Sequence, residues 1–389
     1  MRLSLIFIYT CLLSCLGHAL LAQENISAKQ REQIDLSFLF GYYTQEGNHS
    51  AVTGGEGTEK LSDYDSRIIV HIPLDSNQSL GAHVGINHYT SASSDKIDSR
   101  ISSASSDDTR STIELSYQKN KPEKNSSISL YSGGAVETDY ISSSFGGGWD
   151  KSSESENSFY GFDFRAYFDT WNIILPEELR ATDYGNIKTD KRRTFNLSNY
   201  FSQVLNKRSQ IHLTLDFIAQ QGLLSTPFHR VYFTEIPGTR IEQLPSFRIK
   251  IPLSLRWNHR LLEKLILRNW ARVYWDNWGI ASFTWEFESP VLLPKGWSLS
   301  PLYRFHIQSA AKYFAPKSKH TISSTYYTSD FDLSNLNSHR FGLALRYALP
   351  LRLSKGKFTL SRFEIRAMRY LRSDGLHAYL AAFSIACKI

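Results

Sequence analysis

The chain has 389 residues, of which 41% are hydrophobic and 13% aromatic, and a formal net charge of +7. That length suits one large domain or two medium ones. Lys and Arg crowd the stretch 240–372, a pattern that can mean nucleic acid or an anionic surface; a nucleic-acid role fails if the chain is exported.

The N-terminus points to export. MRLSLIFIYTCLLSCLGHALLA has a basic second residue, an apolar run and a small-x-small ending at Ala22, the pattern of a secretory signal over 1–22. A competing reading takes Leu12-Leu13-Ser14-Cys15 as a lipoprotein box with Cys15 lipidated. Residues 23–32 then form a short periplasmic segment, too short for a plug domain. No later window reaches the run of about 18 apolar residues that a membrane helix needs. Cys387 is left alone, so neither a disulfide framework nor a Cys-based metal site is expected.

From residue 33 onward the apolar pattern has period two. Ile34, Leu36, Phe38, Phe40 and Tyr42 alternate, as do Tyr160, Phe162, Phe164, Ala166 and Phe168. Sixteen strands are predicted, at 33–43, 63–74, 79–90, 109–118, 126–137, 141–150, 158–169, 194–205, 209–221, 246–258, 265–276, 280–289, 297–310, 338–349, 358–371 and 376–389. Runs of about 9–11 residues suit tilted strands crossing a bilayer and exceed the usual globular strand. Connections after even strands are short (DSNQ, NKR), whereas all the long ones follow odd strands (44–62, 91–108, 170–193, 222–245, 311–337). An up-and-down antiparallel transmembrane β-barrel over 33–389 has this asymmetry, with short periplasmic turns and long extracellular loops. A soluble β-sandwich or propeller also alternates, but strand length and loop parity argue against it.

FRIKIPLSLRW (Phe247 to Trp257) puts Phe247, Ile249, Ile251, Leu253, Leu255 and Trp257 on one face and Arg248, Lys250 and Arg256 on the other. The apolar row is expected to meet lipid and the cations a wet lumen. Pro252 forfeits a ladder bond, so a bulge is expected there. Aromatics such as Tyr42, Trp171, Trp275 and Trp297 sit near strand ends, as interfacial girdles require. The last run, Tyr379, Ala381, Phe383, Ile385 and Cys387, has the character that barrel-assembly machinery reads, though it ends on Ile389 rather than an aromatic. Cys387 is expected to face lipid.

Several stretches carry a resemblance: YTSASSDKIDSRISSASSDDTRS, AYFDTWNIILPEELR, QGLLSTPFHRVYF, YWDNWGIASFTWEFESP, YRFHIQSAAKYFAP and SSTYYTSDFDLSNLNSHRFGLALRY. In these the chain resembles a family of bacterial outer-membrane barrels known only as domain of unknown function 3570, over roughly 34–389. The resemblance implies a barrel in the cell outer membrane and no established activity or catalytic residues. Family members often lie near genes for flavin attachment to exported proteins, a small lipoprotein and thioredoxin-like proteins. It therefore implies, by association alone, exported flavin- or thiol-redox partners and extracytoplasmic electron transfer.

The inward row offers the main functional candidates. Arg165, Arg248, Lys250, Arg256, Arg268, Arg272, Arg304, His306, Arg346 and Arg366 are expected in the lumen, with Asp163, Asp216, Glu286 and Glu364 among them. Unpaired, these cations would concentrate anions; paired across strands, they would stiffen or plug the wall. Asp95, Asp98, Asp107 and Asp108 flank a doubled SASSD and could gather around calcium, although Ser and Asp are also ordinary turn formers. Arg230, in FHRVYF, belongs to a loop that either folds inward or packs on itself. No GxSxG elbow, HExxH motif or phosphate cradle appears, so neither an enzyme nor a cofactor is expected. A conduit for small anions, a docking scaffold for exported redox or lipoprotein partners, and an outer-membrane hydrolase remain the functional alternatives.

Overall fold

In the computed structural model the described residues are 33–90, 93, 95, 107–179, 189–348, 351–352 and 359–389. The expected signal segment 1–22, with Cys15, and the expected periplasmic segment 23–32 lie outside them. Sixteen long strands follow one another around the sheet: β1 Asp35–Glu46, β2 Leu61–Pro73, β3 Gln78–Thr90, β4 Asp107–Lys121, β5 Ser126–Val136, β6 Tyr140–Ser152, β7 Ser158–Asn172 and β8 Thr189–Asn206. The second half continues with β9 Ser209–Gly222, β10 Phe247–Leu262, β11 Leu265–Asp276, β12 Ala281–Glu288, β13 Trp297–Gln308, β14 Leu336–Tyr347, β15 Thr359–Arg372 and β16 His377–Lys388. Every neighbour is antiparallel, and β1 pairs with β16 from Asp35↔Lys388 to Glu46↔His377. Ile34 and Ile389 exchange two backbone hydrogen bonds beyond that seam, at 3.1 and 3.0 Å.

Closure removes the free edge that hydrocarbon would leave unsatisfied. What remains is an outer surface studded with large apolar side chains open to the surroundings. Leu115, Leu130, Ile141, Phe145, Phe164, Phe217, Leu255, Phe341 and Leu343 belong to it, drawn from strands all round the cylinder. A belt of that kind on a closed antiparallel barrel is the lipid-facing surface of an outer-membrane protein. The opposite rows are polar.

The expected bulge at Pro252 does not form. Register across β9–β10 is unchanged from Lys250↔Ile218 to Leu253↔Leu215, and the pairing lapses only at Ile251 and Pro252. Pro252 stays in register with Tyr274 on β11, so the missing N–H costs ladder bonds on one side without bending the strand. Register shifts occur instead at Val204/Asn206, Arg260/Leu262 and Leu360/Arg362, all at the short-turn rim. Cys387 lies on the outward row with Ile385, as expected, but its small side chain is covered there, opposite Leu36 and Leu360.

Candidate functional site: the lumen wall and its roof

Alternation delivers the charged rows to the inside, where charges meet within a strand, across neighbouring strands and over one or two intervening strands. Arg165 reaches Glu114 Oε2 at 2.6 Å and Asp163 Oδ1 at 3.1 Å, with its guanidinium 4.2 Å over the Tyr131 ring. Arg248 binds Asp276 Oδ2 at 2.5 Å, Tyr274 donates to the same oxygen at 2.8 Å, and Trp278 lies 4.2 Å beneath the guanidinium. Glu364 takes Arg346 at 2.5 Å and Arg366 from the other side. Glu288 is shared by Arg268 at 3.2 Å and Arg366 at 3.4 Å. The lumen arginines are therefore mostly bound to carboxylates that stiffen the wall.

The pairing is unequal around Trp270. Arg272 and Arg304 both lie 5.4 Å over its ring, and Arg256 is its register partner on β10. Arg304 shares Glu286 with Arg340, at 3.8 and 2.7 Å. Among the described residues no carboxylate pairs with Arg256 or Arg272. Lys250 stands opposite Asp276, whose carboxylate Arg248 and Tyr274 already hold. Arg256, Arg268, Trp270, Glu286, Glu288 and Arg304 line one cavity of about 480 Å³ in this part of the lumen.

At the long-loop end, a roof forms from 47–60, 173–179, 223–246 and 309–335. Arg230 ties three of these together: it pairs with Glu178 and donates to Val52 O at 2.7 Å. Gly54, with φ +80°, lies so close to Tyr232 that a Cβ there would come within 2.6 Å of the ring. His49 stacks on Phe331 at 3.9 Å, and Val231, Phe233 and Tyr327 form a small apolar core flanked by Ile236. Phe228 and His229 from the roof share a cavity of about 680 Å³ with wall residues Asp63, Arg67, Arg110, Glu137, Tyr140 and Arg192. The FHRVYF loop packs on its neighbours through Arg230 and faces the lumen through Phe228 and His229.

Electrostatics within the roof are strained by burial. Burial pushes the Asp330 carboxyl up to about 6, with Asp332 adding to the effect. Burial opposes charge on His229, but Glu242 and the nearby aspartates outweigh it and raise its pKa. Burial likewise lowers His320, which shares a 3.0 Å hydrogen bond with Thr328 O. Glu59 is raised to about 7 by burial, against the pull of Arg372.

The remaining candidates separate. Asp216 faces inward opposite Ser198, at the lapse in the β9–β10 pairing beside Pro252. His306 is engaged by Thr284 at 2.8 Å and Gln308 at 3.2 Å. The four calcium candidates do not form one group among the described residues: Asp95 accepts from Thr58 N–H at 2.6 Å, while Asp108 gathers with Glu137 and Asp139. Asp98 lies outside the described residues. A serine–histidine pair exists, Ser202 Oγ to His212 Nδ1 at 2.5 Å, but the other imidazole nitrogen meets Thr214 rather than a carboxylate. The sequence reading missed Glu114, Asp276, Glu288 and Arg340, although the same parity rule places them inside. It also missed His229, Glu242 and Asp330, which no periodicity marks.

The fold and its outer belt define an integral β-barrel of the bacterial outer membrane. Residues 76–372 match the family described as Protein of unknown function (DUF3570), and the chain belongs to that family. No curated protein matches it. Among solved structures it is similar to a bacterial polysaccharide outer membrane secretin, with TM-score 0.48 and 10% identity over 90% of this chain and 97% of that one. It is also similar to the outer membrane protein opdK from Pseudomonas aeruginosa, with TM-score 0.41 and 7% identity over 92% and 99%. A mutant ferric enterobactin receptor from the same organism gives TM-score 0.46 and 12% identity over 86% of this chain, which spans only 53% of that receptor. Likeness at this level is one of barrel architecture and says nothing of cargo.

Proposed function

We propose that the barrel is a conduit for small anionic solutes, entered from outside through the roofed vestibule and guided by the basic wall. The supporting observation is the charge imbalance around Trp270, where Arg256 and Arg272 have no carboxylate partner among the described residues and Arg304 shares one with Arg340. Fixed cations lining a water-filled lumen raise the local anion concentration and set selectivity. The paired arginines hold the wall, and the unpaired ones supply the field. Planar-bilayer recording across a KCl gradient tests this. The reversal potential should show anion preference, and R256S combined with R272S should move it towards zero. Cation preference in the unaltered barrel would overturn the reading.

The interlocked roof favours a second reading, in which the barrel is a non-conducting scaffold that docks an exported redox protein or lipoprotein. The two readings part on one result. A scaffold passes no current even when R230A loosens the roof, whereas a roofed conduit then conducts more.

A further inference from the structure

Within the roof, three side chains from two loops converge beside the vestibule. The hairpin Arg230–Tyr232 with Thr239–Ile241 brings His229 and Glu242 face to face, and Glu242 N–H donates to His229 O at 3.0 Å. Asp330 comes from the loop after β13. One donor atom from each of His229, Glu242 and Asp330 lies within 4.8 Å of the other two.

Their surroundings hold the ligand set in place. Glu242 is 5% exposed, and its two oxygens accept from Thr328 Oγ1 at 2.5 Å and Thr226 N–H at 2.7 Å. Thr328 Oγ1 in turn accepts from Asp330 N–H at 3.0 Å, so one hydroxyl positions two carboxylate residues. His229 Nδ1 is buried and makes no well-formed hydrogen bond; it faces Glu242 Oε1 at 3.5 Å, a long ion-pair contact. A buried ring nitrogen left in this state costs free energy that a metal ion would recover. Outer hydroxyls and backbone N–H groups that orient carboxylates are a regular feature of metal sites.

We propose that His229, Glu242 and Asp330 form a binding site for a divalent transition-metal ion of the Zn²⁺ type. One imidazole and two carboxylates are the donor chemistry such ions take, at about 2.0–2.2 Å per ligand, and two ligands of one ion then stand within the observed separation. Calcium, which takes six to eight oxygens, fits a nitrogen-containing set poorly. His229 also lines the vestibule, so a coordination position on that side is open to water or to an anionic group of a solute. The ion would clasp the 223–246 loop to the 309–335 loop and hold the roof over the lumen.

The test uses full-length protein in detergent after stripping with EDTA. Zn²⁺ added in a calorimeter should bind at one equivalent, and Co²⁺ should develop visible ligand-field absorption that Zn²⁺ displaces. H229A and E242Q should abolish both signals. T328V, which leaves all three ligands in place, should weaken Zn²⁺ about 10–100-fold while the barrel keeps its heat-modifiable gel mobility. Absence of the Co²⁺ bands in the unaltered protein, or Zn²⁺ affinity unchanged in H229A, would overturn the proposal.

Discussion

Arg230 and Glu178 meet in a two-toothed ion pair above the lumen, Nε to Oε1 at 2.5 Å and Nη2 to Oε2 at 3.0 Å. The third guanidinium nitrogen donates to Val52 O, so one buried side chain fastens three loops. R230A removes the guanidinium donors from Glu178 and from the Val52 carbonyl. Breaking a buried pair from one side costs about 3–5 kcal/mol; partial exposure of Glu178 reduces that to about 2 kcal/mol here. The roof should become susceptible to protease at 47–60 and 223–246 while the strands stay protected. Equal protease resistance in R230A and the unaltered protein would count against this role for the pair.

Glu59 makes the roof sensitive to pH. Burial raises its carboxyl to about 7, Asp332, Asp374 and Asp330 add to the effect, and Arg372 only partly offsets it. A raised acid binds more protons when folded than when released. Its contribution is therefore most favourable below about 4.5 and declines as pH rises to about 7, by on the order of 2–3 kcal/mol. Hydrogen exchange of the 47–60 loop should be slower at pH 5 than at pH 8, and E59Q should flatten that difference. A steeper dependence in E59Q would show the sign to be wrong.

The strands were readable because lipid and water impose opposite demands on alternate residues. The Phe247–Trp257 row exposes this on both faces, and β10 starts at Phe247, one residue after the predicted 246, and runs on to Leu262 beyond the predicted 258. β8 begins at Thr189 rather than 194 because Lys191, Arg192 and Arg193 stand above the lipid belt, where no apolar alternation is required. Parity assigned Arg165 to the lumen but could not choose Glu114 as its partner, since β4 and β7 are separated by β5 and β6 and their side chains meet only across the inside of the wall. The roof was less legible still. Arg230 to Val52 and Glu242 to Thr328 join residues far apart in the chain, and neither contact leaves a periodic mark.

Leu255 and Ser254 are neighbours with opposite fates. Leu255 lies in the outer belt and Ser254 faces Arg272 across β10–β11. A cation at the lipid face near the midplane costs about 2–4 kcal/mol. L255R should lower folding yield into lipid vesicles by that amount, read from urea titration, whereas S254R should fold and add to anion preference. Equal losses from the two variants would mean that the two faces are not chemically distinct.

Glu364 neutralises Arg346 and Arg366 together. E364Q leaves both guanidinium groups with less compensation, at a cost of about 2–3 kcal/mol, and increases the positive potential of the lumen. The prediction is a lower urea midpoint combined with stronger anion selectivity. A stability loss without any change in selectivity would place this pair outside the conducting path.

Single cysteines along β10 in a C387S background test the membrane orientation directly. At Lys250, Ser254 and Arg256 a water-soluble maleimide should react in vesicles, while spin labels at Ile249, Leu253 and Leu255 should be relaxed by oxygen dissolved in the lipid. Strict alternation between the two readouts is the predicted result. If neighbouring positions respond alike, or the apolar row reacts with the aqueous reagent, the chain does not span a bilayer as a closed barrel.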